Sequence, residues 1–244
     1  MLFSIITPCF NSEKTIIRTI ESVLNQTITD YEYIIVDGAS SDKTLEIIKS
    51  YEEKFKGKLR VISEPDNGIY DAMDKGIKAS NGQVIGIVNS DDYLERDALE
   101  VVKEQYDPSC LHQILYGMVR FVDKSEQELE IHFSHHRNLL VGGMICHPAC
   151  FITKSVYDKY GLYSLDFKSA SDYDYLLTIA EKDDIVFTPI YHILSNFRLG
   201  GISQSILGAQ ESNLIKYNHK YISLKKYILG YIKNVLKQIF SKFL

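Results

Sequence analysis

The residues best equipped for chemistry are acids set in short polar loops. NSDDYL places Asp91 and Asp92 side by side. Adjacent carboxylates, as oxygen-only ligands, suit Mg2+ or Mn2+, which keep several waters and complete their shells with phosphate oxygens. The competing reading makes one of them the cap of a helix beginning near Glu95, and the dipeptide alone does not choose between the two. Asp37, in IIVDGASSDKT, can accept from a base imide or a ribose hydroxyl, although alone it reads as a turn residue. EPDNGIYDAMDKG adds Asp66 and Gly68, with Lys75 one helical turn after Asp71, where a surface ion pair is the ordinary outcome. ASDYDYLLTIA carries Asp172 and Asp174 on different faces of a helix. His147 in CHPACF and His192 in YHIL can each reach phosphate or metal, or can simply be packed and hydrogen-bonded.

These residues need elements to bring them together. Phe3 to Thr7 is a short apolar run followed by Asn11 and Ser12 as cap candidates, then by apolar residues at Ile16, Ile17, Ile20, Val23 and Leu24. That pattern reads as strand, loop and helix. Tyr33 to Val36 begins the same sequence again, with Leu45, Ile47 and Ile48 on the following helix. Lys58 to Ser63 and Gly68 to Ser80 make a third strand and helix, and Val84 to Val88 a fourth strand ending at NSDD. Such alternation predicts an α/β fold with a doubly wound, mostly parallel sheet flanked by helices. In such sheets ligands gather beyond the carboxyl ends of the strands, so all four polar clusters are expected on one edge. After about residue 110 the pattern is irregular. Ile114–Val122, Cys150–Thr153 and Ile185–Phe187 read as strands and Tyr173–Ala180 as a helix, with a helical extension expected beyond Ser203.

Composition narrows the class. The 244 residues are 45% hydrophobic and can fill a core. The start, MLFSIITPCFNS, reads as a buried strand and lacks the features of a secretory signal, so a cytoplasmic protein with reduced thiols at Cys9, Cys110, Cys146 and Cys150 is expected. Net charge is −5, but Ser212 to Leu244 holds seven lysines and no Arg, Asp or Glu, which leaves −12 on the rest. An acidic body disfavours nucleic acid as a partner. Along the tail, Leu224, Ile228, Ile232, Val235, Ile239 and Phe243 form one helical stripe, Lys226, Lys233 and Lys237 flank it, and Ser223, Asn234 and Ser241 lie opposite. This pattern suits a helix lying in the interface of an anionic membrane, against the alternative of packing in a homo-oligomer.

TPCFN, VDGASSDKT, EPDNGIYDAMDKG and NSDDYL, in this order and spacing, resemble the nucleotide-binding half of family 2 of the inverting glycosyltransferases, which have the GT-A fold. The resemblance implies a nucleoside-diphospho-sugar site lined by Thr7, Pro8, Asn11, Asp37, Ser40, Asp66 and Gly68. It implies Asn89, Ser90 and Asp91 near the ribose or diphosphate, and Asp92 holding Mn2+ or Mg2+. Two departures stand out: Asn89 replaces the usual first acid of the D-x-D pattern, and Gly38 replaces the common second acid of VDDGS. ASDYDYLLTIA is similar to the segment bearing the catalytic base, with Asp172 matching the base, Ser171 standing where an acid is common, and Asp174 as the rival. NFRLGGIS resembles the loop that closes over the donor, where Arg198 is expected to clamp diphosphate bidentately unless the segment is a plain surface turn.

The expectation is therefore a non-processive, metal-dependent inverting glycosyltransferase, a hexosyl- or N-acetylhexosaminyltransferase. It would move one sugar, from a UDP-sugar, to a glycan or polyprenyl-diphosphate-linked acceptor in cell-surface polysaccharide assembly. A catalytically silent nucleotide-sugar-binding subunit and a sugar nucleotidyltransferase are the alternatives. Residues 1–205 are expected to form one catalytic domain, with 1–106 binding the donor and 107–205 the acceptor. Residues 206–244 would be a basic amphipathic tail holding the protein to the inner face of the cytoplasmic membrane.

Overall fold

The first strands are apolar on successive residues because helices cover both sides of the sheet, so neither face alternates with polar side chains. In the computed structural model, which describes residues 1–201 and 205–240, β1 (Phe3–Cys9) lies between β2 (Tyr31–Asp37) and β4 (Val84–Ile87), with β3 (Leu59–Ser63) outside β2. These four strands are parallel. They are linked by α1 (Ile16–Leu24), α2 (Thr44–Tyr51) and α3 (Ile69–Ala79). Ile6, Ile34 and Val36 point to one side, against Tyr70, Met73 and Ile77 of α3. Phe3, Ile5, Tyr33 and Ile35 point to the other, against Ile16, Ile20 and Val23 of α1. Gly76 lets α3 approach closely: a Cβ there would stand 2.4 Å from Ile6 Cγ2.

The second half joins the same sheet. β5 (Tyr93–Leu94), α4 (Ala98–Gln105), β6 (Gln113–Val122), β7 (Glu128–His132), β8 (Cys150–Thr153), α5 (Lys154–Tyr160), α6 (Ser171–Ala180) and β9 (Val186–Arg198) follow in order. The strand order is β3-β2-β1-β4-β8-β6-β9-β5, with β7 beside β6. β8 is antiparallel to β4 and β6, whereas β9 is parallel to β6, so six of the nine strands share one direction. The fold is thus α/β with a mostly parallel sheet flanked by helices, as the alternation predicts.

β9 is longer than the expected strand ending at Phe187. It runs on through PIYHILSNFR, and Pro189 is tolerated because the two-residue β5 pairs only with Ser195 and Asn196, leaving that stretch an open edge. The C-terminal extension is broken at His219–Ser223 into α7 (Ile206–Asn218) and α8 (Leu224–Phe240). Ser241 and Phe243, and the side chains of Lys237 and Ile239, lie outside the described residues. Among the described residues no helix is long and apolar enough to cross a membrane.

Candidate active site

The ends of β1 and β2 are latched by an exchange of side-chain and backbone bonds. Asn11 adopts a left-handed conformation (φ 49°) and its Oδ1 accepts from Ser41 N at 2.9 Å, while Asn11 N donates to Ser40 Oγ at 2.8 Å. Ser12 N donates to Thr44 Oγ1 at 2.7 Å and Glu13 N to Asp42 Oδ2 at 3.1 Å. Behind the latch, the fully buried Asp37 accepts from the Ser40 hydroxyl on one oxygen and from Ser63 Oγ at 2.7 Å on the other. Asp37 thereby fixes the loop from beneath.

Against this latch sits the turn after β4. Ser90 Oγ lies 2.8 Å from Ser12 Oγ, and Thr19 Oγ1 donates to the Asp92 carbonyl at 2.7 Å. Together these loops, the start of α3 and the residues before α6 enclose a cleft of about 640 Å3. Pro8, Asn11, Asn89, Ser90, Asp91 and Asp172 of the expected site line it. Lys14, Tyr70, Met73, His147 and Phe197 line it as well.

The two adjacent acids sit in different surroundings. Asp92, expected to hold the metal, is 1% exposed and lies outside the cleft lining. Its Oδ1 accepts from Arg198 N at 3.0 Å and its Oδ2 from Asn89 Nδ2 at 3.1 Å. Burial, then the neighbouring Asp91 charge, pushes its carboxyl well above the ordinary value. Asp91 is the acid that faces the cleft; burial raises it too, and the Arg198 charge works against that rise. Asn89 Nδ2 donates to Asp92, and Asn89 Oδ1 is buried without a hydrogen-bond partner among the described residues.

Asp172 lies on the first turn of α6, where the local sequence begins a helix with acids that suit its N-terminus. Its Oδ1 accepts from Tyr70 Oη at 2.8 Å. Asp174, two residues on, is turned away and meets His219 Nε2 of the segment after α7 at 2.9 Å. His147 reaches the cleft but is 5% exposed, its Nε2 2.7 Å from Tyr163 Oη, and burial lowers its pKa. His192 is elsewhere, paired with Asp97 at 3.1 Å.

Other expected residues support the cleft without lining it. Thr7 is fully buried and accepts from Tyr33 Oη at 3.0 Å. Asp66 accepts from Gly68 N at 2.9 Å, and Gly68 (φ 112°) is the residue just before α3. The Arg198 guanidinium, expected on a diphosphate, bonds instead to Glu126 Oε1 at 3.0 Å and to the carbonyls of Asp91 and Lys124, both at 3.3 Å. Lys75 makes the expected surface pair with Asp71, at 3.7 Å. Tyr70 is the residue the sequence reading passes over: an aromatic in the first turn of an amphipathic helix reads as core, and only its partner 102 residues away gives it a polar purpose.

The Glycosyl transferase family 2 profile matches residues 4–161. Chondroitin synthase of Escherichia coli is 31% identical over 242 residues, covering 96% of this chain but 35% of that protein, so the chain spans about a third of that relative's length. The crystal structure of S. aureus TarS 1-349 in complex with UDP superimposes with a TM-score of 0.70 at 19% identity, over 96% of this chain and 71% of that one. The mannosyltransferase PcManGT from Pyrobaculum calidifontis, solved with GDP-Man and Mn2+, gives a TM-score of 0.67 at 17% identity, over 91% of this chain and 64% of that one.

Proposed function

The chain belongs to glycosyl transferase family 2, and from that premise we propose that it transfers one sugar from a nucleoside diphosphate, UDP first among the candidates, with inversion at the anomeric carbon. The observation carrying the proposal is that Asp91 and Asp172, 81 positions apart in sequence, face one cleft. Inversion needs one carboxylate to take the acceptor proton on the face opposite the leaving group. Support for Asp172 in that role is that its Oδ1 is held by Tyr70 while its Oδ2 receives no hydrogen bond among the described residues. Asp174 pairs with His219 instead, which supports Asp172 over it as the base.

The donor diphosphate belongs on the Asn89–Asp91 turn, with Lys14 as the nearby cleft cation in place of Arg198. The orphaned Asn89 Oδ1 and the Asp91 carboxylate are hard oxygen donors that fit Mn2+ or Mg2+. When bound there, such an ion offsets charge developing on the departing diphosphate. Asp37, Ser40, Asp66 and Gly68 then shape the nucleoside end through the loops they brace.

The acceptor side extends the reading to a glycan or lipid-linked acceptor in cell-surface polysaccharide assembly. Support comes from α8, which packs on α7 through Tyr227 and Gly230 while Ile228, Leu229, Ile232 and Leu236 are 46–57% exposed. Exposed lysines beside that face suit an anionic membrane surface, which would hold the enzyme at the inner leaflet.

The test is a panel of UDP- and GDP-sugars incubated with the full chain and Mn2+, following nucleotide release with water as acceptor. One donor is expected to be hydrolysed slowly, and Asp172→Asn to lower that rate by about 10²–10⁴-fold while UDP binding persists. Absence of UDP and GDP binding by calorimetry, with and without Mn2+, would overturn the reading. A silent subunit would instead bind donor and give no release.

A further inference from the structure

Tyr70 joins the two halves of the cleft. It lies in the first turn of α3, directly after the β3–α3 loop that Asp66 braces through Gly68 N. Its ring is 6% exposed, packed in the core with Met73 and set 5.6 Å from the ring of Tyr163. Tyr70 lines the cleft, and its hydroxyl donates to Asp172 Oδ1 at 2.8 Å. Burial, then the charge of Asp172, drives the phenol far above its ordinary pKa, so it keeps its proton and acts as a donor.

We propose that Tyr70 is a positioning residue for Asp172, pinning Oδ1 so that Oδ2 is presented to the acceptor hydroxyl. The proposal rests on the reading of Asp172 as the base. A carboxylate on the first turn of a helix has free rotation about its terminal torsion unless one oxygen is held. Here the holding group has its own ring locked by packing, which is how a site keeps a reacting group in a productive geometry. Because the same helix start follows the Asp66–Gly68 loop, the base is tied to the segment proposed to shape the nucleoside end. Proton transfer itself remains between the acceptor O–H and Asp172 Oδ2: the hydroxyl oxygen bonds to the anomeric carbon, the bond to the diphosphate breaks, and Tyr70 loses no proton.

The experiment compares wild type, Tyr70→Phe, Asp172→Asn and the double variant as full chains. UDP release from UDP-GlcNAc is read as kcat and KM for each protein. Tyr70→Phe is expected to lower kcat by about 10-fold, with KM for UDP-GlcNAc unchanged, since a bond to a charged group is the stronger kind. In the Asp172→Asn background the same substitution is expected to change release by less than about 2-fold, the signature of acting through one partner. Equal losses in both backgrounds, or a raised KM with kcat unchanged in Tyr70→Phe, would overturn the positioning role. Wild-type release by Asp172→Asn alone would instead overturn the base reading, whereas slow release by Asp172→Asn beside wild-type release by Tyr70→Phe would overturn the positioning role alone.

Discussion

Gly38 leaves the space that Asp66 fills: a Cβ at residue 38 would stand 2.4 Å from Asp66 Oδ2. The glycine that departs from the usual VDDGS pattern is therefore matched to an acid from the next loop. Restoring an acid, Gly38→Asp, is expected to push the Asp66 carboxylate off Gly68 N and set two like charges together. UDP affinity should fall by about 10-fold, the size of about 1.4 kcal/mol, with Gly38→Ala intermediate. Calorimetry with UDP checks this, and unchanged affinity in both variants would remove Asp66 from the nucleoside side.

The turn after β4 gives opposite expectations for neighbouring acids. Asp91→Asn should abolish the Mn2+ dependence of UDP binding and leave the melting temperature near wild type, since Asp91 borders the open cleft. Asp92→Asn places an amide nitrogen against either Arg198 N or Asn89 Nδ2, both of which now donate to it. Leaving a buried donor unsatisfied costs about 1–3 kcal/mol, or roughly 2–4 °C in melting temperature per kcal/mol at this chain length. Thermal melts separate the two roles. A stable Asp92→Asn protein that loses metal-dependent binding would return the metal to Asp92.

Which parts of this were readable in the sequence follows from how local each signal is. The β1–β4 order is local: apolar runs, caps and polar clusters repeat within short windows, and the loops of Asn11, Asp37, Asp66 and Asn89 do meet at one end of the sheet. Orientation within those loops is not local. Asp91 faces the cleft while Asp92 is buried, where the path of β9 brings Arg198 N to Asp92 from 106 positions away. Arg198 is likewise drawn from the cleft by Glu126, on a hairpin that no sequence pattern pairs with it. The length of β9 was hidden by Pro189 and His192, which interrupt the strand pattern but fall where one edge is free.

Asp74 gives a pH signature apart from catalysis. It is 6% exposed on α3, accepts from Tyr163 N at 3.1 Å, and burial raises its carboxyl to about 6. Lys78 lowers it and Asp71 raises it further, both more weakly. The folded protein thus holds a proton that the unfolded chain, with a pKa of about 3.9, has released. Stability is favoured below pH 4 by this group and declines as pH rises from about 4 to about 6. Asp74→Asn keeps an oxygen for Tyr163 N and avoids the buried charge. It is expected to stabilise the protein by about 2 kcal/mol at pH 7.5, with the difference vanishing near pH 4. Urea melts at both pH values check this; equal differences at both would refute the titration argument.

The exposed face of α8 carries the last prediction. Asn213 Nδ2 donates to the Tyr227 carbonyl at 2.8 Å, the Tyr217 and Tyr227 rings stack at 5.1 Å, and Gly230 brings the two helices close. These contacts occupy one side of α8 and direct Ile228, Leu229, Ile232 and Leu236 outward. Lys225, Lys226 and Lys233 are exposed on the same helix, and no acid interrupts the sequence after Glu211. An apolar face edged by lysines favours an anionic bilayer over a second copy of the acidic body only if salt weakens the contact. Each lysine near an anionic leaflet is worth about 1 kcal/mol, and each buried aliphatic side chain about 1.5–3 kcal/mol when fully withdrawn from water. The chain is therefore expected to co-sediment with phosphatidylglycerol vesicles at low salt, to release as salt shortens the Debye length, and to ignore phosphatidylcholine vesicles. Ile228→Asp with Ile232→Asp should abolish sedimentation and leave UDP affinity intact, because neither side chain supports the fold. Sedimentation velocity on the same two proteins gives the opposing outcome: a wild-type dimer that the double variant dissolves, with no vesicle binding by either, would assign the face to self-association and remove the membrane from the proposed function.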